Sequence, residues 1–407
     1  MRSTLAGVMF AAIAMMLASG AQASTLTPLY GFCQQKNCTD GRNPFFPVTL
    51  DGSGNIYGVD NNSGADAQVG IVYRLAKGSG GVWQEKVLFT FCDSGRTCNK
   101  GSNPTGRVAV DPAGDVFGVT MQGNGMSDDD GIAYEVTAHG KLVVIGRFCT
   151  TCGNRNGSKP AVGLSWAGAE AGAPWDGVSP LYGTTTGGGT SDGTVFEIIK
   201  AKGSKWKLQG IADLGLGVPG GAIAVDMNGD VFYTTVSSKN GTLNELVPNG
   251  KSFTNTQLWL FCAAHTSCDE GKSPETLTVD ATGNLFGTTA LGAKHKMGAV
   301  YELAAPSYKK ITVVHAFCSL KNCTDGANPA GTMTVDATGN VYGVTAGVIY
   351  EVGTDGSYNT LYGFCALANC ADGSQPTGVT IDPMGNLFGA TILGGPTNSG
   401  EVFEFTP

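Results

Sequence analysis

Twelve cysteines, six recurring aspartates and six recurring glutamates hold most of the chemical potential of this 407-residue chain. The cysteines form close pairs, Cys33/Cys38, Cys92/Cys98, Cys149/Cys152, Cys262/Cys268, Cys318/Cys323 and Cys365/Cys370, and each pair follows a phenylalanine that ends a β-rich run. Such spacing serves redox exchange, zinc ligation or short disulfide loops. Zinc would need a second pair converging on the first, and copies distributed through repeats stay apart. Cys149-Thr-Thr-Cys152, which has redox-motif spacing, occupies the same repeat position as the others. All six pairs therefore read as structural disulfides of an exported protein. A loop of this size contributes roughly 2 kcal/mol on the chain-entropy account, so each bridge mainly stiffens its loop. One unit has Ala212-Asp213-Leu214-Gly215 in this place and no cysteine.

Asp51, Asp111, Asp226, Asp280, Asp336 and Asp382 sit just before glycine turns, where a carboxylate accepts backbone N–H bonds, so their expected role is turn formation. Glu135, Glu197, Glu245, Glu302, Glu351 and Glu404 recur at one strand position, with Arg74 in the first unit. Buried carboxylates need partners, and the repetition predicts a shared architectural bond rather than a ring of ion ligands. Ser127-Asp128-Asp129-Asp130-Gly131 lacks the alternating ligands and distant glutamate of an EF-hand loop and reads as a solvated loop. His139, His265, His295 and His315 fall at four different repeat positions and form no catalytic set. No nucleophile elbow or phosphate-binding loop occurs. The residues nominate no catalytic, cofactor-binding or metal-binding side chain, and no cofactor is expected.

The elements that position these residues come from an internal repeat. Thr49–Asp60, Ala109–Thr120, Ala224–Thr235, Thr278–Thr289, Thr334–Thr345 and Thr380–Thr391 share one phrase, and a worn seventh copy ends at 181–188. Repeats of this length cannot bury their apolar faces alone and must stack. In the clearest unit, Thr276–Asp280 and Leu285–Thr289 form a hairpin across Ala-Thr-Gly-Asn, followed by Ala299–Leu303 and Ile311–Phe317. The repeat prolines stand at 44, 104, 160, 219, 274, 329 and 376, giving intervals of 60, 56, 59, 55, 55 and 47. Seven four-stranded antiparallel units of this size predict an all-β, seven-bladed β-propeller.

Thr27–Cys33 corresponds to a fourth strand, whereas the last unit ends on its third, Glu401–Phe405. The N-terminal strand should thus complete the last blade and cover an open edge. The loops at 61–70, 121–131, 186–193, 236–241, 290–298 and 392–400 then share one face with the cysteine loops, and this face is the expected recognition surface. Trp166–Trp175 interrupts the third unit.

Arg2, the apolar stretch Leu5–Leu17 and Ala21-Gln22-Ala23 read as an export signal over residues 1–23, leaving residues 24–407 as one domain. No later stretch approaches the ~20 apolar residues of a membrane helix, and neither a lipoprotein cysteine nor a hydrophobic tail suggests an anchor. The net charge is −8 with Arg2 and −9 without it, against nucleic acid or anionic lipid as a partner. A monomer in the periplasm or outside the cell is expected.

Leu-Tyr-Gly-Phe-Cys (29–33 and 361–365), Asp-Gly-x-x-Pro (325–329 and 372–376), Gly-Asn-Leu-Phe-Gly-x-Thr and Val-Tyr-Glu-Leu (300–303) resemble the GloVer tandem repeats of exported bacterial proteins. The strand pattern is also similar to NHL-type propellers, which implies partner binding. On this footing the chain is expected to be a non-catalytic binding protein for a protein or glycan. The alternatives are a propeller lactonase or streptogramin-lyase type enzyme, with a metal or a His/Glu pair at the channel mouth, and a structural surface protein.

Overall fold

The computed structural model describes residues 24–61, 70–91, 98, 100–123, 125, 130–149, 156–189, 192–201, 203, 205–215, 217–237, 240–263 and 268–407. They build seven antiparallel sheets of four strands each. The first holds β2 (Thr49–Leu50), β3 (Ile56–Asp60), β4 (Ile71–Lys77) and β5 (Trp83–Thr90), and the second β6 (Ser102–Val110), β7 (Val116–Gln122), β8 (Ile132–Val136) and β9 (Leu142–Arg147). The third holds β10 (Ser158–Ser165), β11 (Leu181–Gly187), β12 (Thr194–Lys200) and β13 (Trp206–Asp213). In the fourth are β14 (Val218–Val225), β15 (Val231–Val236), β16 (Gly241–Asn249) and β17 (Ser252–Phe261). The fifth comprises β18 (Lys272–Val279), β19 (Leu285–Leu291), β20 (Ala299–Leu303) and β21 (Ile311–Ala316). The sixth comprises β22 (Pro329–Val335), β23 (Val341–Thr345), β24 (Val348–Val352) and β25 (Tyr358–Gly363). The seventh joins β26 (Ser374–Ile381), β27 (Leu387–Leu393) and β28 (Glu401–Thr406) to β1 (Thr25–Gly31).

This is the seven-bladed propeller that the repeat predicts. Closure is also as expected: Leu26 pairs with Phe405 and Gly31 with Glu401, so the first strand supplies the outer edge of the last blade. The ring is laced further by Thr377 Oγ1 donating to the Phe46 carbonyl at 3.2 Å and Thr380 Oγ1 donating to that of Val48 at 2.8 Å.

Blades adhere through a joint repeated six times. The phenylalanine before each cysteine pair lies against the third-strand aromatic of the next blade: Phe32 on Tyr73, Phe91 on Tyr134, Phe148 on Phe196, Phe261 on Tyr301, Phe317 on Tyr350 and Phe364 on Phe403. Ring centroids are 5.0–5.6 Å apart with inclined planes, the favourable edge-to-face arrangement in all but the tilted Phe261–Tyr301 pair. Each of these third-strand rings also lies over a glycine directly opposite in the second strand, at positions 58, 118, 183, 287, 343 and 389. A Cβ on any of these glycines would come within 2.2–2.5 Å of the ring or its hydroxyl. The Gly of the aromatic-Gly-x-Thr phrase is thus a slot for the tyrosine of Val-Tyr-Glu-Leu.

Between blades three and four the joint is replaced as a set. Leu214 stands for the phenylalanine, Asn244 for the aromatic, and Tyr233 rather than glycine lies opposite Asn244. This is the position without cysteines. Sulfur pair, phenylalanine, tyrosine and glycine form one structural module that is present or absent together.

Candidate binding site in the channel and at its rim

The innermost strands β2, β6, β10, β14, β18, β22 and β26 surround a central channel. Residues one and three places after the repeat proline supply much of its wall: Phe45 and Pro47, Ala161 and Gly163, Glu275 and Leu277, Ala330 and Thr332. All seven blades contribute to a cavity of about 280 Å³. Close approach of neighbouring strands keeps it narrow. A Cβ on Gly163 would lie 1.8 Å from the Arg107 nitrogen, and one on Gly331 1.8 Å from the Thr377 carbonyl oxygen.

The segment that breaks the third repeat has a definite place. Residues 166–180 connect β10 to β11, and within them Ala169–Ala171 form a 3-10 turn packed on β14, β22 and β26. Glu170 is only 3% exposed and lies between the channel cavity and a second hollow of about 450 Å³ on the opposite face. Its Oε1 accepts from Arg107 Nη2 at 3.0 Å and from Ser165 Oγ at 2.8 Å, and its carbonyl accepts from Thr334 Oγ1 at 2.6 Å. Arg107 Nε donates to the Leu164 carbonyl at 3.1 Å, and its guanidinium lies 5.1 Å from the Trp166 ring centre. Bonds from blades two, three and six therefore pin the insert across the channel. The insert closes the channel at the tight-turn face, and among the described residues none bridges the end next to the cysteine loops, where Phe45 is 42% exposed.

The rim is built from the cysteine segments. Cys33 is paired with Cys38, Cys262 with Cys268, Cys318 with Cys323 and Cys365 with Cys370, as the spacing predicts. Cys98 and Cys149 are disulfide-bonded as well. Their expected partners, Cys92 and Cys152, lie outside the described residues, so the pairings Cys92/Cys98 and Cys149/Cys152 stay expectations from the sequence. A buried aspartate organises three of the loops: Asp40 accepts from the Gln34 and Gln35 nitrogens, Asp325 from those of Ser319 and Leu320, and Asp372 from those of Ala366 and Leu367. These aspartates belong to the Asp-Gly-x-x-Pro phrase, whose structural role does not show in the sequence. Burial works against ionisation of Asp325, but bonds from Ser319, Leu320 and His315 outweigh it and hold the carboxyl down at about 2. After each such loop the residue before the repeat proline is left-handed in six blades, at Asn43, Asn103, Lys159, Ser273, Asn328 and Gln375, with φ of 50–57°. Leu320 and Leu367, at equivalent loop positions, are 58% and 57% exposed.

Other nominated residues take simpler places. Oδ1 of each repeat aspartate accepts two N–H bonds of its own turn at 2.8–2.9 Å, as expected. The repeat glutamates share no common bond. Glu197 bonds Gln209 of the fourth strand, and Glu351 accepts from Tyr342 of the second strand and Asn359 of the fourth, so flanking strands whose residues vary between blades decide each partner. Arg74 takes the same place in β4, paired across the sheet with Tyr57 and Lys86. His315 Nε2 lies 2.8 Å from Asp325 and its ring stacks on Tyr358 at 3.7 Å, a rim support away from the channel. His139 is in an exposed turn and His295 in the loop after β19, whereas His265 and 127–129 lie outside the described residues. Asp130 is buried, and its carbonyl accepts from the Lys159 nitrogen. Among the described residues, no group of three or more His, Cys, Asp or Glu is placed to hold a metal ion. Nor, among them, is any helix long and apolar enough to cross a membrane.

The architecture is that of a β-propeller, and solved propellers share it. Virginiamycin B lyase from Staphylococcus aureus superposes with a TM-score of 0.58 at 11% identity, over 94% of this chain and 99% of that one. A streptogramin B lyase structure gives 0.58 at 11%, over 94% and 97%. The extracellular domain of a hybrid two-component system from B. thetaiotaomicron gives 0.55 at 14%, over 95% of this chain and 42% of that one. Such identities show the fold alone. No family model matches the chain, and no curated protein matches it by sequence.

Proposed function

We propose that this is an exported, non-catalytic binding protein whose cysteine-loop face docks a protein or glycan. The observation that supports this reading is the asymmetry of the channel among the described residues: the Glu170 insert spans one end, and at the other three cysteine loops are each braced by a buried aspartate. Rigid loops around a blind cavity suit recognition, because little conformational freedom is lost on binding. Exposed Leu320 and Leu367 add apolar contact area on that rim. The fold likeness to an extracellular domain of a two-component system agrees with a recognition role outside the cytoplasm. Among the described residues, His315 is committed to Asp325 and Tyr358, and His139 is in an exposed turn between β8 and β9.

The test is a screen of the purified full chain against glycan arrays and secreted proteins, repeated with two variants. Leu320→Lys together with Leu367→Lys should abolish capture of any partner found, whereas Met384→Lys on the opposite face should leave it intact. Loss through the second variant alone would place binding on the other face and overturn the proposal.

A further inference from the structure

Within the channel the charges do not balance. Arg107 is matched by Glu170 at 3.0 Å. Glu275 also lines the cavity, half-buried, and among the described residues no side chain or backbone group is bonded to its carboxylate. The adjoining inner strands, β14 and β22, hold no titratable residue, and β26, next beyond β22, holds none either. The other charged groups near the cavity, among the described residues, are Arg107 with its partner Glu170, and Lys159 and Lys272 at the rim. Burial raises the Glu275 carboxyl above its ordinary range, as expected of a carboxylate that desolvation penalises and nothing compensates.

Phe45 stands on the first blade, across the ring from Glu275 on the fifth, with its ring partly exposed at the mouth. Phe46, Ile223, Leu277 and Met333, packed mainly in the cores between blades, also contribute to the cavity lining. An uncompensated carboxylate and an aromatic ring in the lining of one largely apolar cavity complement a cation with a hydrocarbon body, since the carboxylate supplies the counter-charge and an aromatic face attracts the same ion. The cavity volume is just below the ~300–1,000 Å³ usual for small-ligand sites, so the guest must be small. We propose that the channel is a binding site for a small organic ammonium ion, held between Glu275 and Phe45 above the Arg107–Glu170 pair. The site lies inside the channel, below the rim proposed above as the partner surface, and the Leu320 and Leu367 substitutions test that rim independently of it.

The experiment is calorimetric titration of the full chain at pH 8 with cyclohexylammonium chloride, and in parallel with cyclohexanol as a neutral body of similar shape. The amine is expected to bind more tightly than the alcohol by about tenfold or more, the difference a charge-assisted contact supplies. Glu275→Gln should remove that preference, Phe45→Ala should weaken the amine several-fold, and Glu404→Gln, outside the channel, should leave it unchanged. Unaltered unfolding midpoints in the variants establish that the site and not the fold was lost. Affinity should also decline as pH is lowered through the Glu275 titration. Equal binding of amine and alcohol, full retention in Glu275→Gln, or no amine binding to the parent chain would each overturn the proposal.

Discussion

Arg107 on the innermost strand of the second blade meets Glu170, 63 residues later in the insert of the third, at 3.0 Å in the interior of the ring. Both side chains are almost wholly buried, and Glu170 Oε2 is left without a partner. The pair fastens the plug on which the asymmetry of the channel depends.

Removing one member of a buried ion pair strands the other charge in a low-dielectric setting. Arg107→Met alone is therefore expected to cost about 3–5 kcal/mol, and Glu170→Gln a similar amount, whereas the double variant should lose less than the sum. Urea unfolding of the four proteins measures the coupling, and strict additivity would show that the contact contributes nothing.

The glycine slots give a second expectation. Gly287→Ala would place a methyl group 2.4 Å from the Tyr301 hydroxyl and should destabilise by about 1–3 kcal/mol through overpacking. Gly52 has no atom within 4 Å of a new Cβ, so Gly52→Ala should change stability by no more than about 0.5 kcal/mol. Thermal unfolding of the two variants side by side checks the contrast.

Closure by the first strand predicts a change of association state. A chain lacking residues 24–31 exposes the β28 edge and the apolar cluster on which Leu26 packs. It should unfold at lower denaturant and self-associate with concentration, as unpaired edges do. Light scattering across a dilution series reads the effect.

Glu401 is fully buried with both carboxylate oxygens unpartnered, and desolvation, reinforced by Asp372, pushes its pKa from 4.5 up to about 7. The unfolded chain releases this proton first, so stability should fall as pH rises from 4.5 towards 7 and stay reduced above. Glu401→Gln should therefore stabilise the protein at pH 8 by on the order of 2 kcal/mol and make little difference at pH 4. Urea midpoints at the two pH values decide it.

Much of this architecture is legible in the chain because the period of the repeat fixes the unit and each unit repeats the same local solution. Asp280 before Ala-Thr-Gly-Asn can form its turn with its own neighbours, and Ala299–Leu303 is bounded by a glycine and a turn. The glutamate series is less readable: its partners lie on the strands to either side, and that pairing varies from Gln209 to Tyr342 and Asn359. The tyrosine–glycine opposition is present as two fragments of one phrase, but seeing it as a contact requires the register between second and third strands.

Amino-acid order is enough to set the number of blades, the strand count within each and the sharing of the last sheet between the two ends of the chain. Period, turn residues and complementary termini are local properties, and stacking leaves them few ways to assemble. Folding into the ring is what makes Trp166–Trp175 a plug rather than a defect, brings Arg107 to Glu170, and places Glu275 and Phe45 in the lining of one cavity. These encounters join residues from separate blades at the axis of the ring, where proximity is set by closure and not by distance along the chain.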